Sequence, residues 1–192
     1  MNNSKKFFKE KLKIIASQKE ILDIGGGARL SKELEKYNEW FKNSHYFVLD
    51  NNPEVKPDIL ADAQEVPLPD DSIDAVICKS VLEHMANPFK VMEEIYRILK
   101  PNGYCLIYIP FIYPYHGNKI YKDYFRFTKD GVDLLINKFS QKEIITMRGS
   151  LESICYFLPN IIYQILKLPA RIIDNLLKKK NQTSGYLIFL QK

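Results

Sequence analysis

Apolar residues change their spacing along this chain in a regular order, from helical to strand-like and back. Residues 5–17 interleave lysines with Phe7, Phe8, Leu12, Ile14 and Ile15, the spacing of a short amphipathic helix. Residues 20–24 form a compact apolar run that meets Gly25-Gly26-Gly27, a strand entering a tight turn. Residues 30–41 return to helical spacing. Residues 46–50 read as a second strand, Ile59-Leu60 as a short third and 73–78 as a fourth. Asn87-Pro88 then opens a helix, with an N-cap and a proline at its first position. Met92, Ile95, Tyr96 and Leu99 supply its buried stripe, and Pro101-Asn102-Gly103 is expected to stop it before a fifth strand at 104–110. A helix near 129–139, a strand near 143–148, a long helical stretch to about 180 and a last strand at 186–190 complete the pattern.

Strands and helices alternate from residue 5 to residue 110, which calls for a parallel sheet covered on both faces. The predicted fold class is therefore α/β, a Rossmann-like doubly wound sheet. No repeat, low-complexity segment or linker divides the 192 residues, so 1–192 reads as one domain. At 46% hydrophobic and 27% charged, the chain can build a real core. Three cysteines, Cys78, Cys105 and Cys155, stand at irregular spacing without a CxxC pair. That excludes a disulfide scaffold, and nothing in the spacing offers a three-ligand metal cluster, so no metal is expected. No apolar run reaches the roughly 18–20 residues of a membrane span, and lysines break the N-terminal stretch, so the expected location is cytoplasmic.

Charge is unevenly distributed. Residues 1–20 hold six lysines against two glutamates, and residues 151–192 hold six bases against two acids, while the middle is acidic. A nucleic-acid binder would spread positive charge over its working surface, so none is expected as a partner. Basic residues beside apolar ones at the two ends suit an anionic surface better.

Two segments concentrate candidate chemistry. In the first, residues 21–27 (ILDIGGG) precede Asp50, which ends the second strand 23 residues after Gly27. Glycines there let a ligand approach the backbone, and an acid at that strand end can accept both hydrogen bonds of a ribose diol. Asp23 stands before the first glycine, where a carboxylate would repel a pyrophosphate but hold an ammonium; that favours a sulfonium amino acid over a dinucleotide. In the second, Pro110–His116 and Tyr121–Thr128 pack aromatic rings, His116, Asp123, Tyr124 and Arg126 into one loop after the fifth strand. Loops at that end of a parallel sheet bind substrates. Histidine is the side-chain type suited to take a proton near neutral pH, so His116 is the candidate general base. Asp123 and Arg126, three apart, also fit a local ion pair, and Thr128 with Asp130 fits an N-cap cluster. His84 reads as a structural residue at a strand end and His45 as surface.

With these motifs in order, the sequence resembles the class I S-adenosylmethionine-dependent methyltransferases. The resemblance rests on the ILDIGGG turn, Asp50, Asp62-Ala63 with residues 68–74 (LPDDSID), Val81-Leu82-Glu83-His84 followed by Asn87-Pro88, and residues 94–103 (EIYRILKPNG). It departs from the family at Arg29, which stands where a third glycine is usual. It implies a seven-stranded, mostly parallel sheet with the last strand antiparallel, and S-adenosylmethionine as cofactor. Asp23, Gly25, Gly26 and Gly27 would then cradle the methionine portion, Asp50 and Asn51 the ribose, and Asp62 and Ala63 the adenine. Cys78 and Lys79, at the end of the fourth strand, would flank the departing methyl. The segment from His116 to Thr128 resembles a His…Asp-Tyr-x-Arg-x-Thr branch associated with bacterial surface polysaccharides. That implies a small-molecule or glycan acceptor methylated at a sugar hydroxyl. A lipid or quinone acceptor and a non-catalytic, cofactor-binding partner subunit are the alternatives.

Residues 150–184 form an amphipathic insertion between the last two strands. Leu158, Ile161, Ile162, Ile165, Leu166, Leu168, Ile172, Ile173, Leu176 and Leu177 share one broad face, and Lys178-Lys179-Lys180 close the run. Pro159 and Pro169 are each expected to start a new helical segment. Three occupants fit such a face: the domain's own core, a second copy in a homodimer, or an anionic leaflet that residues 158–180 would touch peripherally, at the inner face of the membrane.

Overall fold

The computed structural model describes residues 3–27, 34–177 and 182–192. Ala28, Arg29, the start of the helical stretch expected at 30–41 and the Lys178–Lys180 run lie outside them.

Helix α1 (Asn3–Ala16) precedes strand β1 (Glu20–Ile24); β2 (His45–Asp50), β3 (Ile59–Leu60) and β4 (Ile73–Lys79) follow. Next come α2 (Pro88–Ile98), β5 (Leu99–Pro110), α3 (Lys129–Leu135), β6 (Gln141–Thr146), α4 (Ser150–Cys155), α5 (Asn160–Leu177) and β7 (Gly185–Gln191). The strands make one seven-stranded sheet in the order β3-β2-β1-β4-β5-β7-β6. Neighbours from β3 to β5 are parallel, and β7 runs antiparallel to both β5 and β6. The expected doubly wound sheet with an antiparallel last strand is the sheet observed.

Side chains alternate between the two sheet faces, and each face buries its own core. Leu22, Ile24, Leu49, Val76 and Ile107 pack with Met92, Ile95, Val132 and Leu135 beneath α2 and α3. Ile21, Tyr46, Val48, Ala75, Ile77 and Leu106 pack with Leu12 and Ile15 of α1 on the other face. Because β1 and β4 are buried on both sides, they read in sequence as continuous apolar runs. Strand order reverses between β1 and β4, and this switch point opens a crevice at the carboxyl ends of the strands.

Several boundaries differ from expectation. Asn87 caps α2 as expected, its side chain accepting from the Lys90 N–H at 3.2 Å. Pro101-Asn102-Gly103, however, lies inside β5, which already pairs at Leu99 with Ile73. A register shift on β4 between Ile73 and Ala75, with Asn102 at φ 65°, absorbs the extra residues. Residues 35–41 form a 3-10 helix, with Phe41 buried. The stretch after β6 is two helices, and Pro169 lies within α5 where a new segment had been expected.

The apolar face of α5 points away from the fold. Its least exposed positions are Tyr163, Lys167, Ala170 and Asp174, at helical spacing on one side. Ile161, Ile165 and Leu176, on the opposite side, are 77%, 68% and 75% exposed. Polar bonds seat the helix. Asp174 accepts from the backbone N–H groups of Leu151 and Glu152 at 2.9 Å each, capping α4 from outside, and Arg171 pairs with buried Glu152. Of the three occupants that fit this face from sequence, the domain's own core does not cover it among the described residues.

Candidate functional site

The turn after β1 is built for close approach. Gly25 and Gly27 adopt φ +67° and +62°, a region open chiefly to glycine. A Cβ on Gly25 would stand 2.4 Å from Cγ2 of Val81. At the end of β2, Asp50 is half-buried and fixed by backbone donors, accepting from Gly27 N–H at 3.2 Å and Asn52 N–H at 2.9 Å. Ser80 follows β4 at φ 54°, a strained position for a residue with a side chain, and its N–H donates to the Tyr108 carbonyl at 3.0 Å.

Two clefts meet here. The first, about 610 Å³, runs from Gly25, Gly27, Asp50, Asn51 and Asp62 to Glu83, His84, His116, Tyr121 and Tyr124. The second, about 840 Å³, is bordered by Asp23, Gly26, Lys5, Lys9, Lys36 and Arg148. Gly25, Lys79, Ser80, Tyr108 and Tyr113 line both. The structure thus gathers His116, Tyr124, Gly25, Gly27, Asp50, Asn51, Asp62 and Lys79 around one space, with Asp23 and Gly26 on the adjoining one. Ala63 and Cys78 do not line either cleft; their side chains are buried in the core. Sequence spacing located their strand ends but not the side to which they turn.

Asp23 is buried and accepts from the Tyr46 hydroxyl. Its burial raises the carboxyl to about 7, outweighing that hydrogen bond and the nearby Lys79 ammonium.

The loop after β5 is organised by Arg126. Its guanidinium donates to both oxygens of Asp123, to the Tyr113 carbonyl at 3.1 Å and to the Pro114 carbonyl at 2.8 Å. Asp123 in turn accepts from the His116 N–H at 2.9 Å, and the Arg126 pairing holds its carboxyl down at about 2. His116 Nδ1 lies 3.2 Å from Asp123 Oδ2, and Nε2 faces Oε1 of Glu83 at 3.5 Å where both residues border the cleft. Asp123 and Arg126 therefore position His116, while exposed Tyr124 forms cleft wall and donates its N–H to the Glu83 carbonyl at 2.8 Å. Thr128 caps α3 by accepting from Gly131 N–H.

Glu83 was read from sequence only as part of a motif, and His84 also as a structural residue at a strand end. Glu83 is fully buried beside the cleft, with burial pushing its carboxyl up to about 8. His84 packs against Tyr121 at a tilt of 59°, with ring centroids 4.5 Å apart, and meets the His116 ring edge to face. The expectation of no three-ligand cluster is corrected, because Glu83, His84 and His116 bring one ligand atom each to within 4.8 Å of one another. Thirty-one residues separate His84 from His116 in sequence, so spacing alone could not join them.

Comparison with known proteins agrees with this architecture. Residues 22–107 match a family model described as a methyltransferase domain. No curated protein matches the sequence. A SAM-dependent methyltransferase from Archaeoglobus fulgidus superposes with a TM-score of 0.65 at 17% identity, covering 98% of this chain and 93% of that one. Haemonchus contortus phosphoethanolamine N-methyltransferase 2, solved with phosphomonomethylethanolamine and S-adenosylhomocysteine, gives 0.60 at 16% identity, over 97% of this chain and 52% of its own. A methyltransferase from Mesorhizobium loti gives 0.58 at 16%, over 90% of each chain.

Proposed function

We propose that this chain is a class I S-adenosylmethionine-dependent methyltransferase that methylates a hydroxyl of a phosphate-bearing glycan presented at a membrane surface. The methyltransferase-domain match over residues 22–107 and the fold support this reading. The observation that carries this reading is the meeting of the two clefts. One joins the glycine turn and Asp50 to His116, and the other is bordered by Lys5, Lys9, Lys36 and Arg148.

The cofactor fits the residues present. At Gly27, which lines the cleft, a Cβ would project into open space, so the bare glycine leaves room for a ligand against the backbone. Asp50 is held by Gly27 and Asn52 as an oriented acceptor for a ribose diol, and Asp62, with Gln64 donating to it, stands at the adenine end. Asp23 offers a carboxylate to an ammonium. Lys79 stands between the two clefts. S-adenosylmethionine bound there supplies an electrophilic methyl on sulfur.

The chain's own task is to align and dry the nucleophile. Tyr113, Tyr121 and Tyr124 offer ring faces to a sugar. His116 Nε2 takes the hydroxyl proton as the new C–O bond forms, with Nδ1 held by Asp123. The basic cleft receives the acceptor's phosphate, and the outward face of α5 rests on lipid. Tyr156 stacks on Tyr113 at 5.4 Å and meets Tyr163 of α5 at 5.3 Å, so an acceptor anchored in lipid would reach the cleft beside that helix.

Transfer of labelled methyl from S-adenosylmethionine to nucleotide sugars and to lipid-linked glycans tests the acceptor, with Asp50→Ala as the donor-site control. Two lost hydrogen bonds to a carboxylate should weaken S-adenosylhomocysteine binding by about ten- to a hundredfold. Cofactor binding without transfer to either acceptor class would overturn the glycan reading. Unchanged affinity in Asp50→Ala would overturn the ribose assignment.

A further inference from the structure

Both carboxylate oxygens of Glu83 are buried without a hydrogen-bond partner among the described residues. A carboxylate removed from water is ordinarily satisfied by donors or by a metal ion. Here Oε1 faces two imidazole nitrogens, His116 Nε2 at 3.5 Å and His84 Nε2 at 3.9 Å.

The far sides of both rings fix their tautomers. His84 Nδ1 lies 2.6 Å from the Lys122 carbonyl, which can only accept, so Nδ1 carries the proton and Nε2 the lone pair. His116 Nδ1 lies 3.2 Å from the Pro114 carbonyl and from Asp123 Oδ2, with Arg126 Nη2 at 3.3 Å held by the same acceptors. Two lone pairs and a carboxylate therefore converge, each imidazole oriented from behind by an oxygen. That is how metal-binding histidines are held. Bonds of about 2.0–2.1 Å in a tetrahedral site place ligand atoms about 3.3–3.5 Å apart. The separations from Oε1 are 3.5 and 3.9 Å and all three ligand atoms lie within 4.8 Å of one another, so a side-chain adjustment of about an ångström would close the site on an ion.

We propose that Glu83, His84 and His116 form a binding site for one divalent transition ion of the zinc class, with a coordination position open to the cleft. Two imidazoles and one carboxylate suit such an ion better than magnesium or calcium, which prefer oxygen-only surroundings. Asp123 with Arg126 is internally neutral, so Glu83 supplies the charge that attracts the ion. An ion there takes the His116 lone pair, so ion binding and proton transfer at His116 exclude one another. The inference concerns binding and stands independently of the methyl-transfer reading.

The test uses the full untagged chain, stripped with a chelator and titrated with zinc chloride against a chromophoric competitor, without cofactor or acceptor. Cobalt chloride in a parallel titration reports coordination through its visible d–d absorption. One ion per chain is expected, with affinity falling about a hundredfold or more in His84→Ala, His116→Ala and Glu83→Gln. His45→Ala, on the far surface, should bind unchanged. If Glu83→Gln fails to fold, the two histidine variants at half-buried positions still decide the matter. No saturable binding, or binding that survives in the histidine variants, overturns the site. In the transfer assay, zinc that slows turnover agrees with His116 as the base. Zinc that accelerates it overturns that base assignment and leaves the ion site intact.

Discussion

Tyr46 donates its hydroxyl to Oδ2 of Asp23 beneath the glycine turn, and both side chains are almost wholly buried. Burial raises Asp23 to about 7, so the folded chain keeps this proton to near-neutral pH while the unfolded chain loses it at the ordinary carboxylate value. Folding of the ligand-free protein is therefore opposed increasingly as pH rises through that window, and the penalty is constant above it. A ligand ammonium selects the carboxylate instead. Affinity for S-adenosylhomocysteine should climb with pH, by at most about tenfold per unit, and level off above about pH 7. Asp23→Asn should flatten this profile, bind more weakly at alkaline pH and melt higher without ligand there. Calorimetry and thermal melts across that range check all three. A flat profile in the unaltered protein would remove Asp23 from the ammonium site.

Arg126 ties Asp123 to the Tyr113 and Pro114 carbonyls, so its contribution to turnover is expected to act through His116. Lysine keeps the charge but cannot reproduce the planar fork that serves these acceptors together. Arg126→Lys should lower kcat by about ten- to a hundredfold through misplacement of His116. Binding of S-adenosylhomocysteine, which the Asp50 side of the cleft governs, should change by less than about twofold. Equal losses in both quantities would show that the loop supports the cofactor as well.

The parallel strands were legible because strands buried on both faces leave continuous apolar runs, such as residues 73–78, bounded by turn residues. Asn87-Pro88 marked the start of α2 because capping is a local interaction. The course of 101–103 was not legible, because its cause is pairing with Ile73, far away in sequence. Pro169 cannot donate to the Ile165 carbonyl, yet α5 continues through it, which the proline's place in the run did not reveal. Asp50 and the glycines could be read from a strand–turn–strand motif. The convergence of Glu83 and His84 on His116 depends on how two strand-end loops fold together, which the spacing does not encode. The pattern in 158–177 likewise revealed an apolar face without revealing which way it turns.

That outward face yields the last prediction. Asp174 and Arg171 dock α5 through its polar side, so truncating the opposite, largely exposed side leaves those bonds in place. Ile161, Ile165 and Ile172 are all more than half exposed, and no helix among the described residues is long and apolar enough to cross a membrane. On the membrane reading proposed above, such a strip beside basic residues would lie in the interface of an anionic leaflet. Replacing the three isoleucines with serine should weaken binding to vesicles containing anionic lipid by about a hundredfold, on the order of 3 kcal/mol of lost apolar burial. The melting temperature should stay unchanged. Sedimentation with vesicles at low and high salt measures the partition, and sedimentation velocity without lipid measures self-association. Were the substitutions to abolish a dimer and leave vesicle binding alone, the face would belong to a second copy of the chain instead of a membrane.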